Sequence, residues 1–274
     1  MFNTKNIFQK HIALPQDHGS WVFILTPLII GMFAGRQFSA ASLALVVAAM
    51  VAFLVRQPVT IAIKAYSGRR PRSDLPAARF WMIIYGALLL LSIAELITLG
   101  ETYILYLGIP AAPIFAWHLW LVSRREERGQ AGIEIVATGV LALAAPAAYW
   151  IGRGTYEPIG WLLWVLTWFQ SSASIVYAYL RLDQRRWKNI PSLEERFKAG
   201  IRPISYTVFN LALSFCLGIF NIIPAFVWLS FLVQTLESFW GTLKPAVNAK
   251  PVSIGMRQLF VTVLFTIIFI FTWR

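Results

Sequence analysis

Apolar runs separated by short polar and basic stretches make up nearly the whole chain. A helix crossing a hydrocarbon core about 30 Å thick needs about 20 mainly apolar residues, each rising about 1.5 Å. Nine runs meet or approach that length: 20–35, 39–55, 80–99, 102–121, 132–151, 159–180, 204–220, 221–238 and 258–273. The stretch 204–238 is continuously apolar and is divided near Asn221 and Pro224, where a turn is chemically easy. The pattern predicts an all-α, polytopic integral membrane protein of nine transmembrane helices, forming a single transmembrane domain over 1–274. Met1 to His18 is polar and no small-residue cleavage site follows the first apolar run, so a cleavable signal peptide is not expected.

Composition supports the same class. The chain is 58% hydrophobic and only 13% charged, where a soluble domain carries about 25% charged residues. Its 20 Phe, 12 Trp and 9 Tyr supply too much apolar area for a disordered chain. One cysteine, Cys216 inside an apolar run, excludes a disulfide scaffold.

A net charge of +12 invites a nucleic-acid partner, but its distribution argues otherwise. With the N-terminus inside, the cytoplasmic segments hold Lys5, Lys10, Arg56, Lys64, Arg69, Arg70, Arg72 and Arg79, then Arg124, Arg125 and Arg128. They also hold Arg181, Arg185, Arg186, Lys188, Arg196, Lys198, Arg202, Lys244, Lys250 and Arg257. That is 21 of the 24 Lys and Arg, leaving Arg36, Arg153 and Arg274 outside. Such a bias is the positive-inside signal, facing anionic lipid. It predicts a cytoplasmic N-terminus, an external C-terminus, the cytoplasmic (inner) membrane as location, membrane lipids as partners and no nucleic acid.

The inside segments 56–79 and 181–203 are the longest and most basic. A shift of 125 positions lays Leu54–Pro58 over Tyr179–Asp183 and carries Arg79 to Ile204, which suggests pseudo-repeat halves 1–130 and 131–274. Repeats in membrane proteins often frame a site at their interface. Coincidence between helical units of similar length explains the spacing equally well.

Leu14-Pro15-Gln16-Asp17-His18-Gly19-Ser20-Trp21 resembles the acidic-His-Gly-small-Trp signature of the YwiC-like family of bacterial membrane proteins. Arg56-Gln57-Pro58 and the segment Lys250-Pro251-Val252-Ser253-Ile254-Gly255-Met256-Arg257-Gln258 agree with it. The nine-helix layout, with large cytoplasmic segments after the second and sixth helices, is in turn similar to the UbiA superfamily of intramembrane prenyltransferases. That resemblance implies a UbiA-like bundle and magnesium ions held by two aspartate-rich motifs. Magnesium needs carboxylate oxygens, yet Arg56–Lys64 contains none and Tyr177–Asp183 contains only Asp183. Magnesium-dependent prenyl transfer is therefore not expected.

Basic residues stand where that layout places aspartates. Arg56, Lys64 and Arg181, with their neighbours, could form a guanidinium-rich pocket for a phosphate or carboxylate, because Arg binds such groups through a planar fork without metal. Orientation signals and lipid contacts explain the same charges. Arg56 is set apart by its apolar neighbours, where a buried charge costs about 2.5–3.5 kcal/mol unless it snorkels or is paired. In the first motif, Asp17 or Ser20 could cap the first helix, Gly19 permits close approach, and Trp21 suits the headgroup boundary. His18 could serve acid–base chemistry, metal binding or a structural hydrogen bond. With only His11, His18 and His118 available, no metal or haem cluster is expected.

The sixth predicted helix carries a polar stretch of Gln170, Ser171, Ser172, Ser174 and Tyr177, which could line a cavity or let helices pack closely. Among the acidic residues in or near spans, Glu95 and Glu237 are better placed than Glu134 to face a cavity. The candidate ligand-binding set is His18, Trp21, Arg56, Lys64, Gln170, Ser174, Tyr177 and Arg181, with no catalytic residue and no required cofactor. The expected role is non-catalytic: holding an isoprenoid or other lipid, or serving as an accessory subunit beside other membrane proteins in an energy-converting complex. A divergent UbiA-like transferase on isoprenoid, quinone or tetrapyrrole substrates is the alternative, and an anion or lipid transporter the third reading.

Overall fold

The computed structural model describes residues 8–15, 18–125 and 130–273, with only the backbone of His18. Lys5, Asp17, Arg128, Arg274 and the His18 side chain, all weighed above, lie outside the described residues. Every regular element among the described residues is helical. The helices are α1 (Lys10–Ala13), α2 (His18–Gly35), α3 (Ala40–Tyr66), α4 (Leu75–Thr98), α5 (Gly108–Arg124), α6 (Ala131–Ala142), α7 (Ala144–Arg153), α8 (Ile159–Gln184), α9 (Leu193–Ile219), α10 (Trp228–Leu243) and α11 (Pro251–Thr272). Short 3-10 turns, Arg72–Asp74 and Thr102–Leu107, lead into α4 and α5.

Six stretches among the described residues are long and apolar enough to cross a membrane: Ala40–Tyr66, Arg72–Thr98, Thr102–Arg124, Ala131–Arg153, Ile159–Gln184 and Pro251–Thr272. The apolar helix Gly19–Gly35 is shorter. This is the make-up of a multi-pass membrane protein.

Helix boundaries depart from the apolar pattern where charged residues mark the predicted end of a helix. α3 does not stop at Val55 but runs on through Arg56, Pro58 and Lys64 to Tyr66. Pro58 costs the helix a backbone donor, yet Pro58, Ile61, Ala62 and Ala65 are buried, and that packing carries the helix onward. α9 begins at Leu193, well before 204, because Ser192 and Glu195 form a capping box, each side chain bonding the other's backbone N–H. The division inside 204–238 falls where expected: α9 ends at Ile219, Asn221 takes φ 56°, and α10 starts at Trp228.

The chain forms two compact units, Met1–Gly160 and Trp161–Arg274. In the first, α2 packs on α7 and α3 on α4. The α2–α7 contact is made by small residues. A Cβ on Gly31 would lie 2.2 Å from the Ala145 carbonyl oxygen, and one on Gly35 would lie 2.8 Å from the Gly152 Cα. The short α1 is held by Gln57 Nε2 donating to the His11 carbonyl at 2.9 Å and Tyr85 Oη donating to the Ala13 carbonyl at 3.2 Å. Its Ile12 is buried with Ile61, Ala62, Ala77 and Ala78. In the second unit α10 packs against α9 and α11.

Candidate functional site

The second unit holds a polar seam inside apolar helices. On α8, Gln170, Ser174, Tyr177, Arg181 and Gln184 follow one another at alternating intervals of four and three, which places them on one helical face. On α10 Gln234, Glu237 and Gly241 keep the same intervals, three and then four, with Ser238 beside them. The faces meet in a chain of hydrogen bonds. Gln234 Nε2 donates to Ser174 Oγ at 2.9 Å and to the Gln170 carbonyl at 3.2 Å. Gln170 Nε2 also reaches Ser174 Oγ at 3.3 Å, and Gln258 Nε2 of α11 reaches the Ser174 carbonyl at 3.3 Å.

One turn further, Tyr177 Oη donates to Glu237 Oε1 at 2.5 Å. Arg257 of α11 grips the same carboxylate in bidentate fashion, Nε to Oε1 at 2.6 Å and Nη2 to Oε2 at 2.8 Å. Gly241 makes this possible, since a Cβ there would sit 2.2 Å from Tyr177 Oη. The Glu237 side chain is 11% exposed, and its charge is neutralised by the half-exposed Arg257 rather than left bare in a low-dielectric setting.

Arg181 is buried, at 8% exposure, and its role in the fold is at the end of α10. Its Nη1 lies 2.8 Å from the Gly241 carbonyl, the Lys244 carbonyl and Gln184 Oε1, three acceptors that share its two hydrogens. Gln184 completes the clasp, donating to the Gly241 carbonyl at 3.0 Å and accepting from Ala246 N at 3.2 Å. A cation at the carbonyl end of a helix is favoured by the helix dipole as well as by the bonds.

Between these groups lies a cavity of about 20 Å³, partly open, lined chiefly by Ser174, Tyr177, Gln234, Glu237, Gln258 and Val261. Gln234 is one of these lining residues, and its Oε1 is buried without a hydrogen-bond partner among the described residues. Which end of this amide carries oxygen follows from chemistry: its other end faces the Gln170 carbonyl, which can only accept, so the NH₂ must be there.

Of the sequence-selected residues, Gln170, Ser174, Tyr177 and Arg181 therefore fall on one seam of the second unit. In the first unit Trp21 and Arg56 meet the same ring: Trp21 packs edge-on to Phe53 at 5.1 Å, and the Arg56 guanidinium lies 6.0 Å from its centroid. Lys64 lies eight positions beyond Arg56 on α3, and its carbonyl accepts from Arg69 N and Arg70 N. Glu95 and Glu134 are exposed, whereas Glu237 is drawn into the seam. Gln184, Gln234, Gly241 and Arg257 were not selected from the sequence. The alternating four-and-three spacing of polar residues on α10 is the signal that could have found Gln234. Among the described residues no group of three or more metal-binding side chains gathers.

Comparison with known proteins adds a family but no reaction. The model of the YwiC-like protein family matches residues 14–149. The chain is 24% identical over 183 residues to a protein of Bacillus subtilis (strain 168) described as "Uncharacterized protein YwiC", covering 63% of this chain and 69% of the relative. No solved structure matches significantly. The polar seam, at 170–258, lies beyond the family match. Over residues 14–149 the chain is similar to the YwiC-like protein family.

Proposed function

We propose that this protein binds the polar end of an isoprenoid or other amphipathic lipid in the α8–α10–α11 cavity, without catalysing a reaction. The observation that carries this reading is the cavity itself: a hydrogen-bonding pocket among apolar helices, with the Gln234 carbonyl oxygen buried and unmatched. Buried polar groups are nearly always satisfied, and inside a membrane such groups mark binding or transport paths. Gln170, Ser174 and Tyr177 shape the pocket, and Arg181 positions α10 beneath them. Trp21, Arg56 and Lys64 fit a separate headgroup-facing surface on α2 and α3.

The reading includes nine crossings in a UbiA-like order: the six long apolar stretches, with α2, α9 and α10 added. The one-sided distribution of 21 of 24 basic residues supports a cytoplasmic N-terminus, an external C-terminus and the inner membrane.

Purification from native membranes, with mass spectrometry of retained lipids, tests the proposal. The wild-type protein should retain a prenyl-tailed or similar amphipathic molecule near one per chain, and Val261→Phe, which fills the cavity from a half-buried position, should lose it. Bulk phospholipid alone in both proteins would overturn the reading. A second reading, accessory subunit of a larger membrane complex, is favoured by α4 and α5, whose most apolar windows are only 17% and 11% buried. Co-purification in fixed ratio with other subunits supports it. Magnesium-dependent product from a prenyl diphosphate would instead establish a transferase.

A further inference from the structure

We infer that the group this cavity recognises is a single hydroxyl on an apolar body, an alcohol or a phenol, and not an anion. The inference rests on the binding role proposed above and names the chemistry of the ligand's head.

Three observations lead to it. The first is an unmatched acceptor: Gln234 lines the cavity, its Oε1, on a residue 5% exposed, has no donor among the described residues, and the orientation of the amide is fixed by the Gln170 carbonyl behind it. It requires a ligand O–H or N–H, and would repel a carboxylate or phosphate oxygen. The second is the state of the cations. Arg257 has its fork closed on Glu237, and Arg181 directs its bonds at Gly241, Lys244 and Gln184. The Arg257 fork is therefore taken, the residues lining the cavity do not include Arg181, and Glu237 adds a negative charge to the wall. The third is size. About 20 Å³ holds roughly one water-sized group, so a hydroxyl fits and a diphosphate does not.

A prenyl alcohol and a prenylated hydroquinone share this chemistry, and two probe pairs separate them. The full-length protein in lipid nanodiscs would be titrated with a C20 prenyl alcohol against its methyl ether, and with a prenylated hydroquinone against its oxidised quinone. The prenyl diphosphate serves as the anionic control. The donor-bearing member of at least one pair should bind about tenfold more tightly than its blocked partner, since a buried acceptor left unmatched is costly. The preferred pair identifies the source of the hydroxyl. Gln234→Met should erase the preference, and a thermal melt of the ligand-free variant establishes that it folds. Should Gln234→Met not fold, the pairwise preference of the wild-type protein decides alone. Equal binding within both pairs, or tighter binding of the diphosphate, would overturn the hydroxyl assignment while leaving lipid binding intact. Failure of every probe to bind, with no lipid retained on native purification, would remove the binding role and this inference with it.

Discussion

Each unit of this protein contains a Glu, a Tyr and an Arg joined in the same way, and the two clusters do different work. In the first unit Glu157 accepts from Tyr149 Oη at 2.5 Å and from Arg153 Nε at 3.0 Å. Trp150 Nε1 adds a bond to the Glu157 carbonyl at 2.7 Å. All four residues lie within nine positions, so the cluster clasps the turn between α7 and α8. In the second unit Glu237, Tyr177 and Arg257 come from three helices, and each bond spans 20 or 60 positions. A local clasp tightens a turn and leaves no space. The long-range cluster holds three helices together around a cavity.

Packing follows the same division. The first unit joins α2 to α7 by bringing backbones together at Gly31, Gly35 and Gly152, the small-residue mode common in lipid, where dispersion and close approach replace the hydrophobic effect. The second unit joins α8 to α10 through side-chain hydrogen bonds. Polar joining is directional, so it tolerates a gap that close packing would not. The family match covers Gly31, Gly35 and Ala145 of the close-packed contact and stops before Gly152 and the polar seam.

The largest expected effect breaks the close-packed side. Gly31→Leu puts side-chain atoms against the Ala145 backbone, which cannot move aside without displacing α7. The expected loss is about 3 kcal/mol or more, read as a lowered melting temperature in nanodiscs. Gly86→Leu on α4, where a Cβ meets nothing within 4 Å, is the control and should melt close to wild type. Equal melting of the two variants would mean that α2 and α7 do not depend on backbone approach.

Arg181→Met comes next. The Gly241 carbonyl would keep its bond from Gln184, and Gln184 Oε1 its bond from Ala246, so the Lys244 carbonyl is the group chiefly left without a donor. A loss of about 2 kcal/mol in ligand-free stability is expected. Were Arg181 instead held for an anionic ligand, stability would be unchanged and ligand retention would fall. Tyr177→Phe should cost less, about 1 kcal/mol, because Arg257 still bonds both oxygens of Glu237. A cycle combining it with Arg257→Gln should give a joint loss greater than the sum of the two single losses, since only the double variant leaves Glu237 bare.

The sequence made the all-helical membrane class legible because apolar run length is a nearly sufficient signal for a span. It made half the seam legible too, as Gln170, Ser174, Tyr177 and Arg181 stand out on one helix. What it hid has a physical reason. Arg257 reads as one more basic residue at an inner interface, and nothing local announces that Glu237, 20 positions earlier, will take it. Arg56 and Lys64 looked like the end of a helix because charge is assumed to stop a span. Inside α3 the long arm of Arg56 can lie along apolar surface and let the helix continue. The start of α9 was readable in Ser192-Leu193-Glu194-Glu195, a capping-box pattern overlooked beside the surrounding basic residues.

The smallest effect isolates the local clasp through pH. Glu157 lies between the spans, and its carboxyl is held below the ordinary value of 4.5, first by the hydrogen bond from Tyr149, which outweighs the opposing effect of burial, and then by Arg153. A group whose folded pKa is depressed binds its proton less readily when folded. Its stabilisation is therefore full above 4.5 and is lost as pH falls through the lower, folded value. The melting temperature should decline as acid is added below that point, and Glu157→Gln should flatten part of the decline while lowering stability slightly at neutral pH. Arg153 is 43% exposed on its side chain, so solvent and salt weaken its share and the Tyr149 bond dominates. Tyr149→Phe should accordingly flatten the acid limb more than Arg153→Gln does. The reverse order would mean that charge, rather than the neutral hydroxyl, holds the turn between α7 and α8.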